Sequence, residues 1–367
     1  MHARRVLTAG AAALATCAVV ATTAWGATGP ELISVSSSGA ELAPEVYDSR
    51  VDDDADRVVF VEPSKSQGEA SHVYVRDRSS GKTTKIYTSK VGDGAVADIS
   101  GSGTYVVIGS GGTLRVRNIN TGSTQWLRGV AGASEPSISS NGRWVAFRGS
   151  LEEGGPVHAY RWNLATDAIT KVSHKAGVRT AKISGDGRHV AYTVDGHAYQ
   201  ATASTGQWEL LDQSPTGEPG NFSDVVLGGV SYDGHYVTFT SGATTLVDGS
   251  EECEQIEGGC VFRRDTAAGS TEVASIIDGK PSNALYISAI SDDGNVVVFS
   301  DVQAFARDMS SGVTVRVSEN SSGAEADRGV DDIAVDADGS DVVFTSRAGN
   351  LGADGHKERI WLTSTGF

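Results

Sequence analysis

The sequence predicts an all-β chain, a seven-bladed β-propeller of four-stranded antiparallel blades. Three observations carry this reading. A short motif recurs seven times, a turn residue sits at a fixed offset in every copy, and one strand is missing at one chain end and spare at the other. Composition agrees: 45 of 367 residues are Gly, with many Val, Thr and Ser, a mixture suited to short strands joined by tight turns.

The motif is a Val two residues ahead of an aromatic residue or Ile. It occurs as Val58-Val59-Phe60, Val106-Val107-Ile108, Val145-Ala146-Phe147, Val190-Ala191-Tyr192, Val237-Thr238-Phe239, Val297-Val298-Phe299 and Val342-Val343-Phe344. Successive copies lie 39 to 48 residues apart, except for one interval of 60. Five residues before the aromatic stands Gly103, Gly142, Gly187, Gly234, Gly294 or Gly339, with Ala55 in the first copy. An Asp, Asn or Ser precedes it, and Asp-Gly and Asn-Gly accept the positive φ of a tight hairpin turn. One strand therefore ends at Ser100, Ser139, Ser184, Ser231 or Ser291, and the next carries the triplet.

A third strand follows (Val73–Asp77, Leu114–Asn118), then a turn at Gly81, Gly122, Asp167, Gly206, Gly269 or Gly312, then a fourth strand. The seventh copy stops after its third strand, Ile360-Trp361-Leu362. The segment Leu32–Ser36 resembles the fourth strand Val315–Ser318, and Ser37–Glu41 matches Ser321–Glu325. The N-terminal strand is thus expected to complete the last blade and remove its open edge. Six blades is the rival count, if the weak first or second copy fails to form.

Residues 1–27 read as a secretory signal: Arg4 and Arg5, an Ala-rich apolar run from Val6 to Val20, then small residues at Ala24 and Gly26. The run is too short for a membrane span. The alternatives are a retained membrane anchor and a lipid anchor through Cys17. Residues 28–367 then form one propeller domain. Loss of Arg4 and Arg5 takes the net charge from −16 to −18, which repels phosphate backbones and argues against a nucleic-acid partner. Cys253 and Cys260, with six residues between them, are expected to form a disulfide in an exported chain.

The prefix and triplet in Ile183-Ser184-Gly185-Asp186-Gly187-Arg188-His189-Val190-Ala191-Tyr192 resemble the repeat of TolB-like propellers, as does Val73–Gly81. The resemblance spans the mature chain and implies a fold. TolB carries an additional α/β domain before a six-bladed propeller. No such domain is visible here, so its translocation role is not implied. The Trp-Asp and Gly-His signatures of WD-type repeats are absent.

No nucleophile elbow, zinc-binding His-Glu pair or phosphate-cradling loop occurs. No catalytic, cofactor-binding or metal-binding residues are assigned. His189 and His235, each just after an Asp-Gly turn, read as one variable solvent-facing position that Arg143 and Asn295 fill elsewhere. The acidic groups Asp52, Asp53, Asp54 and Asp56, Asp331, Asp332, Asp336 and Asp338, and Glu251, Glu252, Glu254 and Glu257 lack the spacing of a calcium loop. They read as turn chemistry and solvated surface. The interval of 60 is assigned to an insertion from Leu246 to Cys260, a recognition loop or a tolerated surface addition.

The expected function is that of an exported, monomeric, noncatalytic scaffold binding a protein or a glycan. The alternative is a carbohydrate-active lyase or hydrolase. Convergent His, Tyr, Arg and carboxylates in the channel favour the enzyme, and small apolar or Ser/Thr linings the scaffold.

Overall fold

The computed structural model describes residues 29–64, 68–248, 250–255, 258–282, 284, 287–353 and 355–367. The expected signal segment, Cys17 within it, and Glu257 lie outside these residues. Seven four-stranded antiparallel sheets surround one axis; six are simple meanders in chain order, and the seventh takes its outer strand from the N-terminal end of the described chain. The first strands, Tyr47–Val51, Val96–Ile99, Ala131–Ile138, Thr180–Ile183, Val226–Val230, Ser288–Ile290 and Val330–Val335, neighbour one another around the channel. The second strands carry the triplets, and the fourth strands lie outermost.

Each triplet is buried throughout, because a second strand has partners on both edges and a neighbouring blade on each face. Its two faces serve different cores. Val59 packs with Val106 and Ile108 of the next blade, Val107 with Val145 and Phe147, and Ala146 with Val190 and Tyr192. The series ends with Val343 against Val58 and Phe60, which joins blade 7 to blade 1. The hydrophobic cores therefore lie between blades. At roughly 1.5–3 kcal/mol per fully buried large side chain, each blade is stabilised mainly by its neighbours.

The turns after the first strands form a second, polar ring. Backbone N–H groups donate around the axis: Asp53 to Gly101, Ser102 to Ser140, Asn141 to Gly185, Asp186 to Tyr232, Tyr232 to Asp292, Asp292 to Ala337, and Ala337 back to Asp53, at 2.8–3.4 Å. The turn glycines have positive φ, as expected, but they also abut the preceding blade. A Cβ at Gly187 would sit 2.2 Å from Trp144, one at Gly234 2.6 Å from His189, and one at Gly294 2.2 Å from Tyr236. Ala55, at φ 54, fills the position in blade 1, where the corresponding residue of the preceding blade is Asp341.

Closure follows the expected plan with a shorter strand. Glu31 and Leu32 pair with Leu362 and Trp361, and the Ile33 N–H donates to the Ile360 carbonyl at 2.9 Å. Pairing ends at Ser34, whose Oγ accepts the Ile360 N–H, not at Ser36. The chain then turns, with Ser36 N–H bonding Ala40 just as Asn320 N–H bonds Ala324. The sequence match between these segments thus reflects one shared loop.

In this meander the 1–2 and 3–4 turns share one face of the disc, and the 2–3 and 4–1 loops share the other. The insertion is a 2–3 loop of blade 5 and contributes side chains to the core. Leu246, Cys253 and Cys260 are buried in the core with Phe239 and Phe262. Cys253 and Cys260 are disulfide-bonded, their Cα atoms 5.4 Å apart. Part of the long interval also lies beyond the insertion, in a small hairpin pairing Ile276–Ile277 with Lys280–Pro281. No described helix is long and apolar enough to cross a membrane.

Candidate functional site

A first strand has one edge open to the channel, which leaves backbone N–H groups there without a ladder partner. At four of the seven junctions a side chain from the neighbouring blade fills that role. Asp48 Oδ2 accepts from Ala97 N–H of blade 2, Asp98 Oδ2 from Ile138 N–H of blade 3, and Ser137 Oγ from Ile183 N–H of blade 4. Across the closing junction, Asp332 Oδ2 accepts from Ser49 N–H at 2.7 Å. Left-handed residues at Asp48 and Glu135, and register shifts near them, mark bulges in these strands.

Arg50 is the hub of this arc. Its guanidinium contacts Asp48 and Asp332, each at 3.1 Å. Burial opposes its charge, but Asp332 and Asp48 outweigh that and hold its pKa raised. Burial raises Asp48, with Arg50 opposing. Arg50, Asp98, Lys182 and Asp332 line one side of a central cavity of about 300 Å³, and Gly228, Gly229 and Ser288 line another. The Lys182 ammonium has no hydrogen-bond or ion-pair partner among the described residues. Burial, then the neighbouring Arg50, depresses its pKa. Ser288 Oγ is also buried without a partner.

The histidines lie elsewhere. His189 and His235 are not equivalent, as the sequence reading had them. His235 follows the turn glycine directly, is exposed, and meets Asp233 at 3.0 Å. His189 lies one residue further on and abuts Gly234, where burial lowers its pKa. His197 Nδ1 is 2.7 Å from Asp212 Oδ2. Asp212 Oδ1 also accepts the Ala198 N–H. Ser173, Ser275 and Ser318 make the same bond to Ala159, Val261 and Ala304. Asp212 is therefore a variant of a recurring clasp between fourth and third strands, which the sequence reading missed.

The acidic clusters divide. Asp54 and Asp338 cap their own turns, as expected. Asp52 and Asp336 differ: they are only 3% and 4% exposed. They occupy the position of Ser100, Ser139, Ser184, Ser231 and Ser291, each of which accepts the N–H five residues on. Asp52 and Asp336 accept the same bond from Arg57 and Asp341. Burial raises Asp52 to about 7 and Asp336 to about 6. Asp292, in the turn ring, is raised to about 7 by burial and then by Asp53 and Asp293. Among the described residues, no three His, Cys, Asp or Glu side chains group so as to hold a metal ion.

No family model and no curated protein sequence matches the chain. Solved structures do. An oligogalacturonate lyase in complex with manganese is 13% identical over 88% of this chain and 89% of that one, with a TM-score of 0.60. The β-propeller domain of the Trilobed protease from Pyrococcus furiosus, described as having an open velcro topology, is 12% identical over 88% and 97%, with a TM-score of 0.59. TolB from Acinetobacter baumannii superposes more loosely, at 13% identity over 84% and 80% and a TM-score of 0.44. With its repeat and its ring of seven blades, the chain has a β-propeller fold, shared with the lyase and with the protease's propeller domain.

Proposed function

We propose that the protein is an exported, noncatalytic propeller that binds a protein or a glycan. The observation that carries this reading is the use made of the channel carboxylates. Asp48, Asp98 and Asp332 each bond a backbone N–H of the next blade, and Asp48 and Asp332 share Arg50. A general base or nucleophile needs a free lone pair aimed at substrate. These carboxylates are instead committed to joining blades. The longer 2–3 and 4–1 loops gather on one face of a rigid scaffold, where binding residues vary at least structural cost. The disulfide between Cys253 and Cys260 fits an extracytoplasmic location.

Two observations favour the enzyme alternative: Arg50 and the carboxylates Asp48, Asp98 and Asp332 converge in the channel, and Lys182 is unpartnered in the cavity beside Arg50. A substrate screen on the purified mature chain, with uronic-acid polysaccharides included, separates the two. The binding reading expects no turnover, together with capture of a partner from the cell envelope. Turnover abolished by Lys182→Met would establish the enzyme instead.

A further inference from the structure

Each first strand places one residue at the same point on the channel wall, two residues before the buried Ser or Asp of the turn. In blades 2 and 3 that residue accepts from the next blade. Asp98 takes the Ile138 N–H at 2.9 Å, and Ser137 takes the Ile183 N–H at 3.4 Å. In blades 4, 5 and 6 the same position holds Lys182, Gly229 and Ala289. None of these side chains can accept a hydrogen bond. All five residues line the central cavity of about 300 Å³.

The N–H groups left without such an acceptor are those of Val230, Ile290 and Val335, which line the same cavity. Along a strand in an antiparallel pair, successive N–H groups point to opposite edges. Ser231, Ser291 and Asp336, one residue on, donate to their second strands, so Val230, Ile290 and Val335 donate toward the channel. None of the three has an acceptor among the described residues. The spacing matches that of the filled junctions, since a Cβ at Gly229 would lie 3.2 Å from the Ile290 nitrogen.

The charges divide in the same way. Arg50 is shared by Asp48 and Asp332, and Asp98 accepts from the N–H groups of Ile99 and Ile138. Lys182 has neither a hydrogen bond nor an ion pair among the described residues. Blades 4 to 7 therefore face the axis with hydrogen-bond donors and one uncompensated cation. Buried donors and a buried charge are costly without partners, and an anion with several acceptor oxygens satisfies both.

We propose that the channel binds a small organic monocarboxylate, Lys182 holding the carboxylate and the N–H groups of Val230, Ile290 and Val335 taking its oxygens. One unpaired cation calls for one negative charge. The nearby Asp48, Asp98 and Asp332 disfavour a dianion such as phosphate. The volume is at the lower end of small-molecule sites, roughly 300–1,000 Å³. The carboxylate can belong to a free hydroxy acid or to the C-terminus of a polypeptide. The site lies in the channel and not on the loop face, so it goes beyond the binding reading above and can fail without it.

The test is calorimetric titration of the mature chain in a carboxylate-free buffer. The probes are lactate, glycerate and butyrate, butyramide and inorganic phosphate for contrast, and a short peptide with its C-terminus free or amidated. At least one small acid or the free-ended peptide is expected to bind, and which of them binds identifies the source. Lys182→Met should weaken binding by about tenfold or more, and Lys182→Arg should retain most of it. Ala289→Asp supplies Val335 with the acceptor that Asp98 gives Ile138, and should abolish binding. Lys175→Met, which removes an exposed lysine outside the channel, should leave it unchanged. Equal binding of butyramide or of the amidated peptide, tighter binding of phosphate, or no carboxylate bound at millimolar concentration overturns the proposal. Binding indifferent to both Lys182→Met and Ala289→Asp overturns it too.

Discussion

Returning Asp52 to the residue that the repeat prefers is expected to stabilise the protein, and to do so only at neutral and alkaline pH. In five blades the position is a buried Ser, which accepts the N–H five residues on. In blades 3, 4, 5 and 6 its hydroxyl also donates to the Asn or Asp two residues on. A neutral carboxylic acid can imitate that double role, but a carboxylate can only accept. Burial raises Asp52 from an ordinary carboxylate value to about 7. The stability that the neutral acid contributes is therefore whole below about pH 4, where the unfolded chain is also protonated, and is lost as the pH climbs through about 7. At 1.36 kcal/mol per unit, the ionised group costs on the order of 2–4 kcal/mol at pH 8. Asp52→Ser removes that cost. With about 2.1 cal/mol/K of unfolding entropy per residue, a chain of this length gains about 3–6 °C in Tm at pH 8 and little at pH 4. Asp336→Ser should behave alike with a smaller span, since Asp336 is raised to about 6. Thermal unfolding of both variants and the parent from pH 4 to 8 reads this directly. A gain of equal size at pH 4 and pH 8, or a loss at pH 8, refutes the reasoning.

Three further outcomes are expected. Gly187→Ala should destabilise by about 2–4 kcal/mol in denaturant unfolding, since it adds left-handed strain at φ 76 to a clash with Trp144, whereas Ala55→Gly should change stability by less than about 1 kcal/mol. Removing Glu31 to Ser36 strips blade 7 of its fourth strand and Ile33 from the closing core, so Tm and solubility should both fall; an unchanged Tm would show that closure lies elsewhere. Cys253 and Cys260 should resist alkylation in the exported protein until it is reduced, as read by intact mass, and Cys253→Ser with Cys260→Ser should cost about 2–3 kcal/mol from the short loop alone.

Blade count, strand order and closure were legible in the sequence because each depends on local signals repeated seven times. A turn glycine, a buried Val-x-aromatic strand and a short fourth strand reveal themselves by recurrence. What escaped is what the ring itself creates. Gly187 reads as a turn residue on any spacing argument, yet its second duty, admitting Trp144 of the preceding blade, appears only when blades are placed side by side. Asp52 and Asp336 read as members of acidic runs, although alignment on the turn glycine puts both in the buried Ser column; that signal was present in the spacing and was masked by their charged neighbours. His189 and His235 were merged by a one-residue slip, which in a strand exchanges one face for the other.

The channel charges illustrate the same point from the functional side. Asp48 and Arg50 stand two residues apart on one strand, but Asp98 and Asp332 lie far from them in sequence, and no motif joins the four. Each first strand presents an unpaired edge to the axis, and at four of the seven junctions a side chain of the neighbouring blade supplies an acceptor. Blades 1, 2 and 7 supply carboxylates, blade 3 supplies Ser137, and Arg50 offsets two of the resulting charges. A channel rich in carboxylates is then a consequence of closing a ring from open-edged strands, and polarity alone is no mark of catalysis here. Groups that the ring does not consume are the informative ones. Lys182 in the channel has no hydrogen-bond or ion-pair partner among the described residues, and chemistry directed at an outside molecule has to begin from such a residue.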